Sequence, residues 1–125
     1  MSTEKVANRL VELCRKGDFE TAMQELYSPE IVSIEPEGSQ APNAEGIQQV
    51  IEKAKHFADS VEEFHKNEVS DPVIAEDFFS VQMKMDVTFK GVGRTQMEEI
   101  CVYGVKDGKI TYEQFFYTPA PVNAG

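Results

Sequence analysis

The chain has 125 residues and a net charge of −10, from 22 acidic and 12 basic side chains. That length holds one domain, 1–125, able to bury roughly two-thirds of its unfolded surface without a metal or disulfide staple. The charge argues against nucleic acid and anionic membrane as partners, since both reward basic patches. Apolar runs fall short of the ~20 residues of a membrane span, and MSTEKVANR lacks the apolar run of a signal peptide, so the expected location is cytoplasmic.

In chain order, residues 3–15 are predicted as a helix with Val6, Leu10, Leu13 and Cys14 on one face. Gly17 suits its stop, and Asp18 suits the cap of a second helix carrying Phe19, Ala22, Met23 and Leu26. Pro29 is expected to end that helix, and 31–35 to be a short strand. The loop 36–42 is rich in Pro, Gly, Ser and Gln. A third helix starts near Asn43 and places Ile47, Val50, Ile51, Ala54, Phe57 and Ala58 at helical spacing. From Val61 onward the pattern is strand, broken at Asp71-Pro72 and turned at Glu76-Asp77. The order is α-α-β-α-β-β-β-β, an α+β chain, with 118–125 as a loose C-terminal tail.

The richest stretch is an antiparallel meander over 78–117. In FFSVQMKMDVTFK the odd positions Phe79, Val81, Met83, Met85, Val87 and Phe89 are apolar, while Ser80, Gln82, Lys84, Asp86 and Thr88 alternate with them. That alternation marks a half-buried strand. Pairing symmetric about Val92 sets Phe89 opposite Thr95 and Met85 opposite Glu99. The last hairpin turns within 105–109. A three-residue loop with Gly108 left-handed sets Cys101 opposite Glu113, Glu99 opposite Phe115 and Met97 opposite Tyr117. A two-residue loop at Asp107-Gly108 is the alternative, and it turns Glu113 away.

Under the first register Glu99 and Glu113 both lie on the apolar face. A carboxylate there costs several kcal/mol unless it is paired or protonated. As diagonal neighbours they stand about 7–8 Å apart. Burial and mutual repulsion raise a carboxyl pKa, so one of the two can hold its proton near neutrality beside an ionised partner. An acid next to a base suits proton abstraction beside a carbonyl. The competing explanation is structural: both glutamates bond to Tyr, His or backbone donors, or reach solvent.

Of the two histidines, His56 falls on the exposed side of the third helix. His65 faces outward if its strand pairs continuously back from the turn at Glu76-Asp77, and inward if a bulge at Ser70-Asp71-Pro72 reverses it. Both faces stay open. Cys14 and Cys101 lie on apolar faces and read as buried free thiols. GVGR lies at a hairpin tip, not between strand and helix, so it is not a phosphate loop. No spacing fits zinc or a calcium loop, and neither a metal nor a cofactor is expected. On the other sheet face, Ile100, Val102, Ile110, Tyr112 and Phe116 form an apolar patch of a size that soluble monomers rarely expose.

The segments KGDFETAMQELYSPEIVSIEPEG, APNAEGIQQVIEKAK and VYGVKDGKITYEQFFY, taken in order, resemble the family of nuclear transport factor 2, ketosteroid isomerase and SnoaL-like polyketide cyclases. The resemblance covers nearly the whole chain. It implies a cone-shaped curved mixed β-sheet wrapped around three N-terminal helices, with a mostly apolar pocket at the open end. That pocket would be lined by Leu10, Cys14, Met83, Met85, Met97, Cys101, Tyr103, Phe115 and Tyr117. It also implies a homodimer formed sheet against sheet through Ile100, Val102, Ile110, Tyr112 and Phe116. The base of the isomerases falls on Glu35, but their helix tyrosine falls on Leu10 and their second acid on or near Cys101. Isomerase activity of that type is therefore not expected. The aspartate of the SnoaL-like cyclases has no match either, because Asp86 has outward parity.

The resemblance thus implies a protein that binds a small hydrophobic or amphipathic molecule. It would be an acid/base isomerase, cyclase or dehydratase with Glu35, His65, Glu99 and Glu113 as the ionisable groups. The alternative is a non-catalytic ligand-binding or dimerisation module on the same fold.

Overall fold

A computed structural model describes residues 2–119. Its elements are α1 (Thr3–Arg15), α2 (Phe19–Leu26), β1 (Tyr27–Ile34), β2 (Ala44–Glu45), α3 (Ile47–Ser60), β3 (Val61–Val69), β4 (Val73–Ala75), β5 (Phe78–Phe89), β6 (Gly93–Lys106) and β7 (Lys109–Phe116). Of the expected C-terminal tail, 120–125 lie outside the described residues.

Local chemistry sets the helix ends. Ser2 caps α1 by accepting from the Lys5 amide. Gly17, at φ +74°, closes α1 in a left-handed turn that few other residues adopt cheaply. The Asp18 carboxylate then caps α2 through the Thr21 amide, as the sequence predicts. Pro29 does not end α2. The helix stops at Leu26, and Pro29 lies inside β1, within the stretch Tyr27–Val32 where pairing with β7 is irregular. A residue without an N–H fits such a gap. The third helix also starts later than expected. Asn43 accepts a bond from the Glu35 amide, the short strand β2 follows, and Gly46 at φ +85° leads into Ile47.

The strands make one mixed sheet in the order β2-β1-β7-β6-β5-β3, with β4 added to β5. Among the described residues, only β1 and β7 pair in parallel. Three helices against this curved sheet give the cone-like α+β architecture expected. The core joins Val6, Leu10 and Cys14 of α1 and Leu26 of α2 to Ile31, Phe79, Val81, Cys101 and Tyr103 of the sheet. Phe79 stacks on Tyr103 with ring centroids 4.8 Å apart. Among the described residues, no helix is long and apolar enough to cross a membrane.

Both hairpins differ in register from expectation. In the first, Phe89 pairs with Gly93, Met85 with Met97 and Met83 with Glu99, so the symmetry point is Gly91 rather than Val92. The shift is two residues, which leaves every side chain on its predicted face. The second hairpin is the two-residue form. Lys106 pairs with Lys109, and Asp107 (φ +52°) and Gly108 (φ +76°) make the turn. Taken alone, that turns Glu113 outward. A bulge between Gly104 and Val105 restores it, because Gly104 pairs with Tyr112 and Val105 with Ile110, leaving Thr111 as the extra residue. Glu113 therefore faces inward, opposite Tyr103 rather than Cys101. The same bulge carries Ile110 into the core at 0% exposure, so it cannot belong to the outer patch as expected.

Candidate active site

Strand β1 keeps its alternation from the end of the irregular stretch Tyr27–Val32, so Ile31 and Ser33, and Glu35 just beyond the strand's end, point to the helices. Ser33 is fully buried, and the Glu35 side chain is 8% exposed. On α3, Lys53 stands one turn after Val50 on the inward stripe, and its side chain is 14% exposed. The Lys53 ammonium donates to Glu35 Oε2 at 2.8 Å and to Ser33 Oγ at 2.7 Å, and lies 5.4 Å from the centre of the Phe115 ring. Ser33 in turn donates to Glu113 Oε1 at 3.0 Å, and Tyr27 donates to Glu113 Oε2 at 2.5 Å. At the other end Tyr117 donates to Glu35 Oε1 at 2.7 Å, and its hydroxyl lies 2.5 Å from that of Ser39. One connected polar network therefore runs from the loop after β1 to the buried Glu113.

The two glutamates of the meander are not equivalent. Glu113 is 3% exposed, and each of its oxygens accepts a hydroxyl bond. Burial raises its pKa, while Tyr27, Ser33 and Lys53 oppose the rise. Glu99 is half-buried, and its partner is the Cys101 thiol at 3.5 Å, a weak donor. Burial pushes the Glu99 carboxyl up to about 7. The thiol bond works against this, and the charges of Glu35 and then Glu113 add to it. Met83 lies opposite Glu99 on β5, and Glu113 lies opposite Tyr103. Glu99 and Tyr103 are two inward positions apart, on the order of 13 Å of strand. The expected diagonal pairing does not form, because the last strand is displaced by two residues relative to it.

The remaining candidates divide by depth. Leu10, Cys14, Met83, Cys101 and Tyr103 are buried, while Met85, Met97, Phe115 and Tyr117 are half-buried around Glu99. Met85 and Met97 stand opposite each other on β5 and β6. Burial raises the Cys14 thiol to about 12 and raises Cys101 as well, with the Glu99 charge adding to it, so neither is poised as a nucleophile. Tyr117 is also pushed to about 12 by burial.

His65 does not join the group. It is exposed, and its Nε2 lies 2.6 Å from Thr88 Oγ1, on the side of β5 that also carries Asp86. The pairing of β3 with β5 shifts between Phe64 and Lys66, around His65 itself. Two shallow surface hollows, one beside Arg15 and Asp71 and one beside Ser2 and Asp107, lie away from the carboxylates. Among the described residues, no cluster of His, Cys, Asp and Glu could hold a metal ion.

Lys53, Ser33 and Tyr27 were missed in the sequence. Lys53 had a signal: a lysine at the i+3 position from Val50 and the i−4 position from Phe57, inside an otherwise apolar helix stripe. Ser33 shares parity with Ile31. Tyr27 gives none, because a helix running up to Pro29 would contain it.

Residues 1–117 match the SnoaL-like domain family. A Mesorhizobium loti protein, provisionally described as a SnoaL-like polyketide cyclase, is 31% identical with a TM-score of 0.88, over 94% of this chain and 100% of its own. IdmH from Streptomyces antibioticus, provisionally described as a polyketide cyclase, shares 20% identity with a TM-score of 0.71, over 93% of this chain and 91% of its own. A Xanthomonas campestris protein with a cystatin-like fold shares 18% identity with a TM-score of 0.78, over 93% and 90% respectively. No curated protein matches the sequence.

Proposed function

The chain belongs to the SnoaL-like domain family, and we propose that it binds an apolar, carbonyl-bearing small molecule at the mouth of the cone and moves a proton on it. The observation that carries this is Glu99, a half-buried carboxyl with a pKa of about 7 whose one hydrogen-bond partner among the described residues is a thiol. Such a group is ionised in part of the population and protonated in the rest at neutral pH, so it can take a proton and return it. Glu113 is saturated by Tyr27 and Ser33, and acts as the anchor that orients Ser33 under Lys53. Lys53 supplies the positive charge beside the mouth that a developing enolate oxygen needs. Glu35 and Tyr117 hold that ammonium and close the loop side. The two provisional polyketide cyclase descriptions among the similar structures agree with cyclisation or isomerisation chemistry of this type.

The test is hydrogen–deuterium exchange at the acidic carbon of 2-tetralone, followed by proton NMR. The parent protein accelerates exchange above buffer with an inflection near pH 7, and Glu99→Gln returns it to background. A parent protein at buffer background refutes proton transfer on this ketone. The burial of Leu10, Met83, Cys101 and Tyr103 then favours the second reading, a binding or assembly module.

The outer sheet face carries its own proposal, a second copy of this chain. Ile100 and Phe116 are about half exposed, Val102 and Tyr112 border them, and Phe78 at 55% exposure takes the place that Ile110 vacates. Gln82 and Lys84 pair with Glu98 at the edge of this patch, giving the polar rim that a sheet-against-sheet contact requires.

A further inference from the structure

Asn67 lies on β3 in the row that continues through Met85 on β5 to Met97 on β6, one inward step from the Met83–Glu99 row. Its Nδ2 donates to the Cys14 carbonyl at 2.6 Å, at the end of α1. A carbonyl only accepts, so this bond fixes the amide orientation and leaves Oδ1 on the other side. That oxygen is shut off from solvent and has no hydrogen-bond partner among the described residues. Orphan acceptors of this kind are few, and each calls for an explanation.

The surroundings say where the donor comes from. Met85 and Met97 are half-buried, unbranched and flexible by type, and they stand between Asn67 and Glu99 over about 12 Å of sheet. We propose that Asn67 is a ligand-recognition residue, whose Oδ1 accepts a hydrogen bond from an O–H or N–H of a molecule that enters by displacing Met85 and Met97. The ligand class is therefore an apolar ring system bearing a hydroxyl or amide donor remote from the carbon at Glu99. This rests on the mouth being the binding site, as proposed above.

The probes are 2-naphthol and 2-methoxynaphthalene, which share a ring system and differ in the donor. The parent protein binds the naphthol about fivefold to tenfold more tightly by calorimetry, and Asn67→Leu removes the preference while retaining the methoxy compound. Equal affinities in the parent, an unchanged preference in the variant, or no binding of either probe each overturns the proposal. Thermal melting without a ligand supplies a second reading. The Cys14 carbonyl also accepts from the Gly17 amide, so it keeps a partner when Asn67 is replaced. An orphan oxygen then predicts a melting temperature within about 3 °C of the parent, whereas a larger fall marks an oxygen already served by an ordered water and overturns the proposal. If Asn67→Leu does not fold, Asn67→Ala is measured in the same two ways. Failure of the tetralone exchange with success here separates the proton-transfer reading from this one.

Discussion

Glu99→Gln should stabilise the protein, and the gain should depend on pH. A carboxyl raised from 4.5 to about 7 binds its proton more tightly in the folded chain than in the unfolded one. Between those two values the native state therefore holds the extra proton, and stability falls as pH rises. At about 1.4 kcal/mol per tenfold, the ionised form costs about 3 kcal/mol above pH 7 and about 1 kcal/mol at pH 5. Glutamine has the same shape and carries no charge, so the variant should gain roughly these amounts over the parent. Urea denaturation of both proteins at pH 5 and pH 8 reads the difference directly. Because burial is the largest cause, 1 M NaCl should leave most of the effect in place, whereas a shift due to Glu35 and Glu113 would shrink under screening. A gain equal at both pH values refutes the reasoning.

Lys53→Met should destabilise the chain by about 2–4 kcal/mol, since it leaves Glu35 without its ion partner in a largely buried position. It should also move the Glu99 titration upward, because Lys53 is the cation that pulls it down. Carboxyl 13C NMR follows that shift, and an unchanged Glu99 titration would separate the two groups. For the outer face, sedimentation equilibrium should find the parent dimeric at micromolar concentration and the Ile100→Lys, Phe116→Lys double variant monomeric. A monomeric parent removes the proposed partner.

Much of the fold was legible because its signals are periodic. The alternation of β5 placed Phe79, Val81, Met83 and Val87 inside, where each is 5% exposed or less. The stripe of α1 and the Gly17-Asp18 break needed no tertiary information. The errors came at points that periodicity does not govern. Pro29 bars helix, but its missing N–H falls in a strand irregularity rather than at the helix end. Thr111 bulges from a strand with no proline or glycine to mark it, and this one residue moved Ile110 from an exposed patch to the core.

The candidate site shows why a face is easier to predict than a partner. Glu113 was placed inward through a loop one residue too long, and the actual two-residue turn plus a one-residue bulge reach the same parity. The first hairpin slipped by two, which parity cannot detect. Faces survive errors that sum to an even number, but opposing residues do not, and the chemistry belongs to the opposing residues. It was the partners that divided the glutamates: hydroxyl donors from β1 saturate Glu113, and among the described residues only a thiol reaches Glu99. A count of inward polar positions in the structure accounts for the distinction. Glu35, Glu99 and Glu113 lie on the inward side, and among the described residues Lys53, on the stripe of α3, is the cation that reaches them. One ammonium and the hydroxyls of Tyr117, Tyr27 and Ser33 hold two carboxylates in low dielectric, and the third carries its own proton or waits for a ligand. Lys53 grips Glu35, Tyr27 and Ser33 grip Glu113, and Glu99 is the one left at the mouth.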